Sequence, residues 1–497
     1  MGDGMLIRGA DVWGAPDVDA VVVSAGRIAA IGRGEDLAGT GLELDARGSS
    51  LLPGFIDAHT HLVDSGLVEC GFSVSLSGCE RDEALERLAA AGRRRAPGEW
   101  VVASGWDESL WTPSRRLTRD DLDRATVDCP VLAIRIDGHL ATLNARALRE
   151  AESALHDVRQ WVDASSGHVR ETAVDRVREL ARPDAMTIDE ALRAAARRCH
   201  ALGITTAHVM SGAVDPRRFL DAAAALRLRL VVHPPADRLA TLVGEGEVTG
   251  GGDEWARWGG VKLFADGSIG AQNAAVSRYR DGGRGRLNLR RASLIACLES
   301  ADRNGWQTLT HAIGDRAIGQ VLAAHRAART DGALRHRIEH FEFPTEEQVS
   351  ETRTLGLCVC MQPNFVGNWG GLGGLYEAAL GRRRAARGNP FRRVLDAGIP
   401  LGFGSDGMPL SPLYGVSSAV RAPHDAQRLT LGEAVHAYTV GSADLSGGAP
   451  SGGRIAEGDP ADLVLLDGPL DATGIGVRRA ARTWVGGALV YSQEEAG

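Results

Sequence analysis

The chain has 497 residues, 44% of them hydrophobic and 24% charged, with a formal net charge of −8. That supplies a full core and excludes a disordered chain, and the mixing of acid and base excludes a basic nucleic-acid-binding face. No apolar run is long enough to span a bilayer, residues 1–13 lack the pattern of a signal peptide, and seven scattered cysteines make no disulfide framework. These features predict a soluble, cytoplasmic protein with no membrane and no nucleic-acid partner.

In chain order, the first fifty residues alternate short β-rich runs (5–7, 20–23, 27–31, 42–45) with glycine turns, and residues 461–466 and 483–491 repeat that pattern at the other end. Neither end has enough strands for a core of its own. The expectation is a small β-sandwich domain formed by residues 1–50 and 450–497 together. Between them, apolar strand candidates at 51–56, 205–209, 228–232, 261–265, 308–311, 337–341, 357–361 and 400–404 alternate with helical stretches at 188–201, 294–304, 317–330 and 390–397. Repeated β–α units predict an α/β fold, a (β/α)8 TIM barrel over residues 51–449. A doubly wound open sheet is the alternative, but no strand leads into a convincing Gly-x-Gly-x-x-Gly turn. Residues from about 65 to 185 fit the alternation poorly and read as an inserted cap. Residues 366–389, glycine-rich and then basic, read as a mobile loop over the barrel mouth.

Of the 56 basic residues, 55 are arginine and one, Lys262, is lysine. A GC-rich genome explains the surplus but not the survivor. Lysine can lose its proton and act as an amine, whereas a guanidinium cannot. One lysine also excludes a Walker A phosphate loop.

The chemistry gathers at strand ends. His59 and His61, two apart, share a face of the first strand and can both reach one ion. His311, His340, Asp406 and Lys262 close other strands and should converge at the carboxyl-terminal mouth, where barrel enzymes place their sites. This hard N/O donor set suits zinc or another divalent ion, one or two per chain, which can generate a hydroxide near neutral pH. An unprotonated Lys262 that takes up CO2 becomes a carbamate, an anion able to bridge two ions. In the inserted region, Trp106, Trp111, His139 and Asn144 read either as substrate contacts or as a small core. His139 and Asp315 are the stronger candidates, because a polar side chain beside a metal site needs a partner there. Cys358 and Cys360 read as core packing, and His208 and His233 as buried core or pocket lining.

The ordered motifs Pro53-Gly54-Phe55-Ile56-Asp57-Ala58-His59-Thr60-His61, Gly105-Trp106-Asp107-Glu108-Ser109-Leu110-Trp111, Asp137-Gly138-His139, Val261-Lys262-Leu263-Phe264-Ala265-Asp266-Gly267-Ser268, His311-Ala312-Ile313-Gly314-Asp315, Arg337-Ile338-Glu339-His340 and Gly404-Ser405-Asp406 resemble the amidohydrolase superfamily, in its YtcJ-like branch, amidohydrolase family 3. The resemblance implies His59 and His61 on one metal, carbamylated Lys262 as bridge, and His311 and His340 on a second. Asp406 would bind metal and carry the proton to a leaving amine, in hydrolysis of an amide or related C–N bond of a small molecule. Where relatives read Gly-Ser-Arg-Thr-Ala, this chain has Gly270-Ala271-Gln272-Asn273-Ala274, so Gln272 would meet a less anionic or differently placed substrate group. Two other classes compete with this reading. A Schiff-base lyase could use Lys262 but leaves the histidines without a shared purpose, and a non-catalytic binding or regulatory barrel has no reason to keep every ligand. A homodimer is a candidate assembly.

Overall fold

The computed structural model describes residues 4–37, 41–446 and 452–495. Its centre is parallel β structure. Strands Phe55–Thr60, Ile204–Met210, Arg229–His233 and Ala256–Trp258 form one parallel sheet. Strands Val261–Phe264, Thr308–Ala312, Arg337–His340, Cys358–Met361 and Leu401–Phe403 form another. The two meet at both edges. At one edge Lys262 N donates to Pro234 O at 2.8 Å, and at the other Asp406 N donates to His59 O at 2.8 Å. Gly404 permits the second approach, since a Cβ there would lie 2.4 Å from His59 N.

These strands are buried on both faces, which explains their continuous apolar runs. Helices cover them. In Ala185–Ala201 the buried Ile188, Ala191, Leu192, Ala195 and Cys199 recur at helical spacing, and Asp184 caps the first turn through Thr187 N at 2.8 Å. The helix expected at 188–201 therefore starts three residues earlier, at its cap. Helices Arg291–Arg303, Asp315–Ala328 and Phe391–Asp396 occupy the other expected stretches, shifted by a few residues.

Residues from both chain ends share one sheet, in the order Asp11–Val12, Ser50–Pro53, Leu463–Leu466, Ala480–Val485, Ala488–Ser492. It packs against the N-terminal sheet around Ile7, Val21, Leu51, Leu463 and Trp484. The run expected as one strand at 483–491 is instead a hairpin. Gly486 and Gly487, with φ of 55° and 72°, reverse the chain there, a backbone that L side chains rarely adopt. The expected domain boundary at 449/450 touches residue 450, outside the described residues.

The inserted region is more regular than its aromatic and polar turns suggest. Its strands form a six-stranded sheet in the order Val162–Asp163, His168–Arg170, Leu140–Leu143, Val131–Arg135, Val101–Trp106, Ser73–Ser75. One face buries Leu88, Trp106 and Leu122, the other Leu132, Leu143 and Val174. The mobile loop expected at 366–389 is also corrected. Helices Pro363–Trp369, Leu375–Leu380 and Arg382–Ala385 fill it, anchored by buried Trp369, Tyr376 and Leu380. Apolar burial outweighs the glycine content. Among the described residues, no helix is long and apolar enough to cross a membrane.

Candidate metal centre

The site grows out of the carboxyl ends of the parallel strands. His59 is buried, and its Nδ1 faces the Glu339 carboxylate in direct contact. Glu339 is held in turn by Arg337, whose Nε and Nη2 donate to it at 2.9 and 3.0 Å. Arg337 also donates to Ala58 O at 2.9 Å and to His208 Nδ1 at 3.1 Å. A carboxylate on Nδ1 fixes the tautomer and leaves the Nε2 lone pair of His59 facing Lys262 and Asp406. That Nε2 lies 3.3 Å from Lys262 Nζ and 3.8 Å from Asp406 Oδ1.

His340 follows the same plan. Its Nδ1 donates to Gln362 Oε1 at 2.8 Å, which frees Nε2. His311 differs: its Nε2 donates to Gly267 O at 3.2 Å, which leaves Nδ1 free. The His311 and His340 rings are 4.4 Å apart, and the His59 and His340 rings 4.9 Å. His61 is less buried and brings Nε2 to 3.3 Å from Asp406 Oδ1. Three turning points carry positive φ on non-glycine residues: His340 at 72°, Phe341 at 49° and Asp406 at 54°. Such backbone is costly and persists where the surroundings over-determine it.

Electrostatically the cluster resists charge. Burial, then neighbouring cations, hold His59 well below the ordinary histidine range; burial first, then other nearby groups, does the same for His311 and His340. Burial brings His61 down to about 4 and Lys262 down to about 8, and pushes Asp406 up to about 7. Neutral imidazoles with free ring nitrogens are metal ligands in waiting. Among the described residues, His59, His340 and Asp406 each place a donor atom within 4.8 Å of the others. The donor set fits a divalent ion of the zinc type. His59, Glu339 and Cys360 are equally close, but Arg337 already neutralises Glu339.

Two buried carboxylates brace the cluster. Asp57 accepts from Ser405 N at 2.9 Å and from the Ser405 hydroxyl, tying the first strand to the last, and burial pushes it up to about 6. Asp266 accepts from the N–H groups of Ile313, Gly314 and Ala275 at 2.7–3.0 Å, and burial pushes it up to about 7.

The inserted sheet closes the cleft from above. His139 Nδ1 contacts Glu171 Oε1 at 3.1 Å, and its ring lies 5.1 Å from that of His311. Burial opposes charge on His139, but Glu171, Asp137 and Asp266 outweigh it and raise the imidazole to about 9. Beside it, the fully buried Arg135 is clamped by Glu108 at 2.8 Å, Asp137 at 2.8 Å and Asp107 at 3.1 Å. The cleft is walled by His139, His311, His340 and Asp406 together with the apolar and aromatic Phe365, Trp369, Tyr376 and Met408.

The matching family is the amidohydrolase family, whose sequence profile covers residues 42–491. The chain belongs to the amidohydrolase family. It is 28% identical to the putative amidohydrolase YtcJ of Bacillus subtilis (strain 168), over 91% of this chain and 90% of that protein. It is 26% identical to an N-substituted formamide deformylase of Arthrobacter pascens, over 95% of each. Among solved structures it resembles an uncharacterized metal-dependent hydrolase from Pyrococcus furiosus, with a TM-score of 0.72, 25% identity and coverage of 94% of this chain and 99% of that one. With its relatives this amidohydrolase shares a TIM-barrel-type α/β fold.

Not every expected residue reaches the amidohydrolase cleft: of the six expected ligands, His311, His340 and Asp406 line it, whereas His59, His61 and Lys262 gather around Asp406 without lining it. Trp106 lies fully buried in the inserted sheet, its Nε1 donating to Ala133 O at 3.0 Å, and Trp111 stacks on it at 6.1 Å. Asn144 caps helix Ala145–Glu150. Asp315 accepts from Ser277 N at 2.7 Å and from Arg384 at 3.3 Å, outside the cleft walls. Gln272 is exposed at a turn with φ of 59°, also outside those walls. Cys358 and Cys360 are buried in a small core with Ala58 and Leu445, and His233 is buried against Gly260. Glu339, Gln362, Glu171 and Glu342 were not singled out from sequence alone. Gln362 and Glu342 carry the signal that found the histidines, a polar residue just past a buried strand.

Proposed function

We propose that this amidohydrolase is a metal-dependent hydrolase that cleaves a C–N bond of amide, N-acyl or N-formyl type in a small molecule, in the cytoplasm. The observation that carries it is the convergence of His59, His340 and Asp406, the two histidines with their other ring nitrogens pinned by Glu339 and Gln362. His59, His61, Lys262 as its carbamate, His311, His340 and Asp406 would hold one or two ions, best zinc. Such an ion, when bound, activates water and polarises a carbonyl. The buried Lys262 amine, brought down to about 8, is partly unprotonated at neutral pH, the state that takes up CO2.

Asp406, beside both His59 and His61, takes the proton of the attacking water and returns it to the leaving amine. His139, charged beside Glu171, offers an N–H to the substrate's oxygen from the cleft wall. In this reading eight of these nine parallel strands, all but Ala256–Trp258, close into one (β/α)8 barrel over 51–449, with the end sheets as a β-sandwich domain and 65–185 as its cap. The relative named for N-substituted formamides makes N-formyl amines the first substrates to assay. The test is release of amine from a panel of N-formyl, N-acyl and cyclic amides. Activity should vanish on chelation and return with zinc; full activity in metal-free protein, or no turnover across the panel with zinc loaded, refutes the reading.

A further inference from the structure

Among the described residues, Phe264 is the only exposed phenylalanine, tyrosine or tryptophan, and it stands at the metal centre. It closes strand Val261–Phe264 with 41% of its surface open to solvent, whereas Phe365, Trp369 and Tyr376 in the cleft wall are buried. Side chains two apart on a strand share a face. Phe264 therefore points the way Lys262 points, into the mouth, while Val261 and Leu263 turn into the core. The Phe264 ring centroid lies 4.9 Å from Lys262 Nζ, 5.5 Å from the His311 ring and 6.4 Å, edge-on, from the His139 ring.

A lone apolar side chain on an outer surface needs no explanation. This one touches two of the proposed ligands, so a group attached next to the reacting bond would lie against its open face. The cations around it offer a charged substrate tail less. Arg178 Nη1 donates to Asp64, just past His61, at 3.1 Å, His139 contacts Glu171 at 3.1 Å, and Arg135 is held by three carboxylates. An anionic tail finds each of these already paired, whereas an apolar one finds surface to cover. Covering that face takes apolar area out of water, and a second ring adds the geometric preference of aromatic pairs.

We propose that Phe264 is a specificity-determining residue, the platform of a subsite that takes an apolar, best aromatic, group carried next to the scissile C–N bond. This names a substrate class for the hydrolase proposed above and rests on that reading. Preferred substrates are then small amides bearing a ring or branched apolar group beside that bond, over unsubstituted ones and over those that end in a carboxylate.

The test is calorimetric binding of benzylphosphonate and methylphosphonate to the zinc-loaded full chain. Both present the same metal-binding oxygens, they differ in the ring, and neither has a C–N bond to cleave. Benzylphosphonate should bind the wild type more tightly by about tenfold, the scale expected for covering part of one aromatic side chain. Phe264→Ala should cut that preference below about threefold by weakening benzylphosphonate, with zinc content and methylphosphonate affinity held. Equal binding of both probes to the wild type overturns the subsite, and so does a variant that keeps the full preference. If Phe264→Ala does not fold, Phe264→Gln, which keeps length but not the apolar face, is read by the same criteria. Binding of neither phosphonate to zinc-loaded chain overturns the subsite together with the metal reading beneath it. A preference that depends on Phe264, in a chain that hydrolyses no amide, keeps the subsite and retires the C–N reading alone.

Discussion

Two regions of this amidohydrolase bury charge, and they do so in opposite ways. In the inserted sheet, Arg135 is satisfied by Asp107, Glu108 and Asp137, and Trp369 Nε1 adds a bond to Asp107 at 2.8 Å from the far side of the cleft. Each of the three carboxylates there is paired with Arg135, and Glu108 also with Arg116. At the strand ends, His59, His61, His311, His340 and Lys262 gather with Asp406, while Glu339 contacts His59 from outside the group, and burial presses these bases toward neutrality. Buried charge already paired is architecture. Donors held in place by outer partners yet left without an inner one are a site.

The sharpest way to break that distinction is Lys262→Arg. Arginine is accepted at every other basic position of the chain, so a merely structural lysine would tolerate it. Here a guanidinium would stand as a fixed cation about where Lys262 Nζ now lies, 3.3 Å from His59 Nε2, and it forms no stable carbamate. Activity should fall by roughly four orders of magnitude or more, the upper end of what loss of a key catalytic group costs, with metal content reduced in elemental analysis. Intact mass should show an added CO2 on the wild type and none on the variant. Unmodified lysine in an active, metal-loaded wild type would reopen the Schiff-base alternative, for which borohydride trapping is the assay.

Asp406→Asn comes next. The amide keeps an oxygen that can approach an ion but cannot carry the proton, so kcat should drop by about 10²–10⁴ with a small change in KM. Metal loss should be smaller than in His59→Ala or His340→Ala. Intact turnover in Asp406→Asn would move the proton-carrying role to another residue.

How much of this was legible beforehand depends on the physics of each element. The strand-end histidines that gather at the site were readable because an apolar run ending in a histidine breaks its own pattern. The partners that orient them were not. Glu339 and Arg337 lie inside a strand, and only the folded chain shows that Arg337 neutralises Glu339 while Glu339 holds His59. The inserted sheet was missed as a sheet because strands such as Val131–Arg135 are buried on both faces and show no alternation. Residues 366–389 misled by composition, since glycines between anchors do not loosen a segment whose Trp369, Tyr376 and Leu380 are buried.

On the paired side of the comparison, Arg135→Met should act on stability before chemistry. It strips the counter-charge from three carboxylates around a fully buried position, and removal of one partner from such a network typically costs about 3–5 kcal/mol. Denaturant unfolding should report that loss while metal content stays near normal. If metal is lost with little change in stability, Arg135 belongs to the reactive region and the division drawn here is wrong.

The smallest expected effect is Trp106→Phe, which asks whether the aromatic motif of the inserted sheet touches substrate at all. Trp106 is fully buried, bonded to Ala133 O, stacked on Trp111, and 5.9 Å from the Arg135 guanidinium. Phenylalanine keeps most of the ring packing but loses the N–H donor and part of the volume, a change of about 1–2 kcal/mol. The Ala133 carbonyl loses that bond inside the sheet, so the cost should appear as a lower denaturant midpoint with an unchanged slope. Because the side chain lies outside the cleft walls, kcat/KM should stay within about twofold of wild type. A tenfold fall in kcat/KM at unchanged stability would show instead that Trp106 contacts substrate.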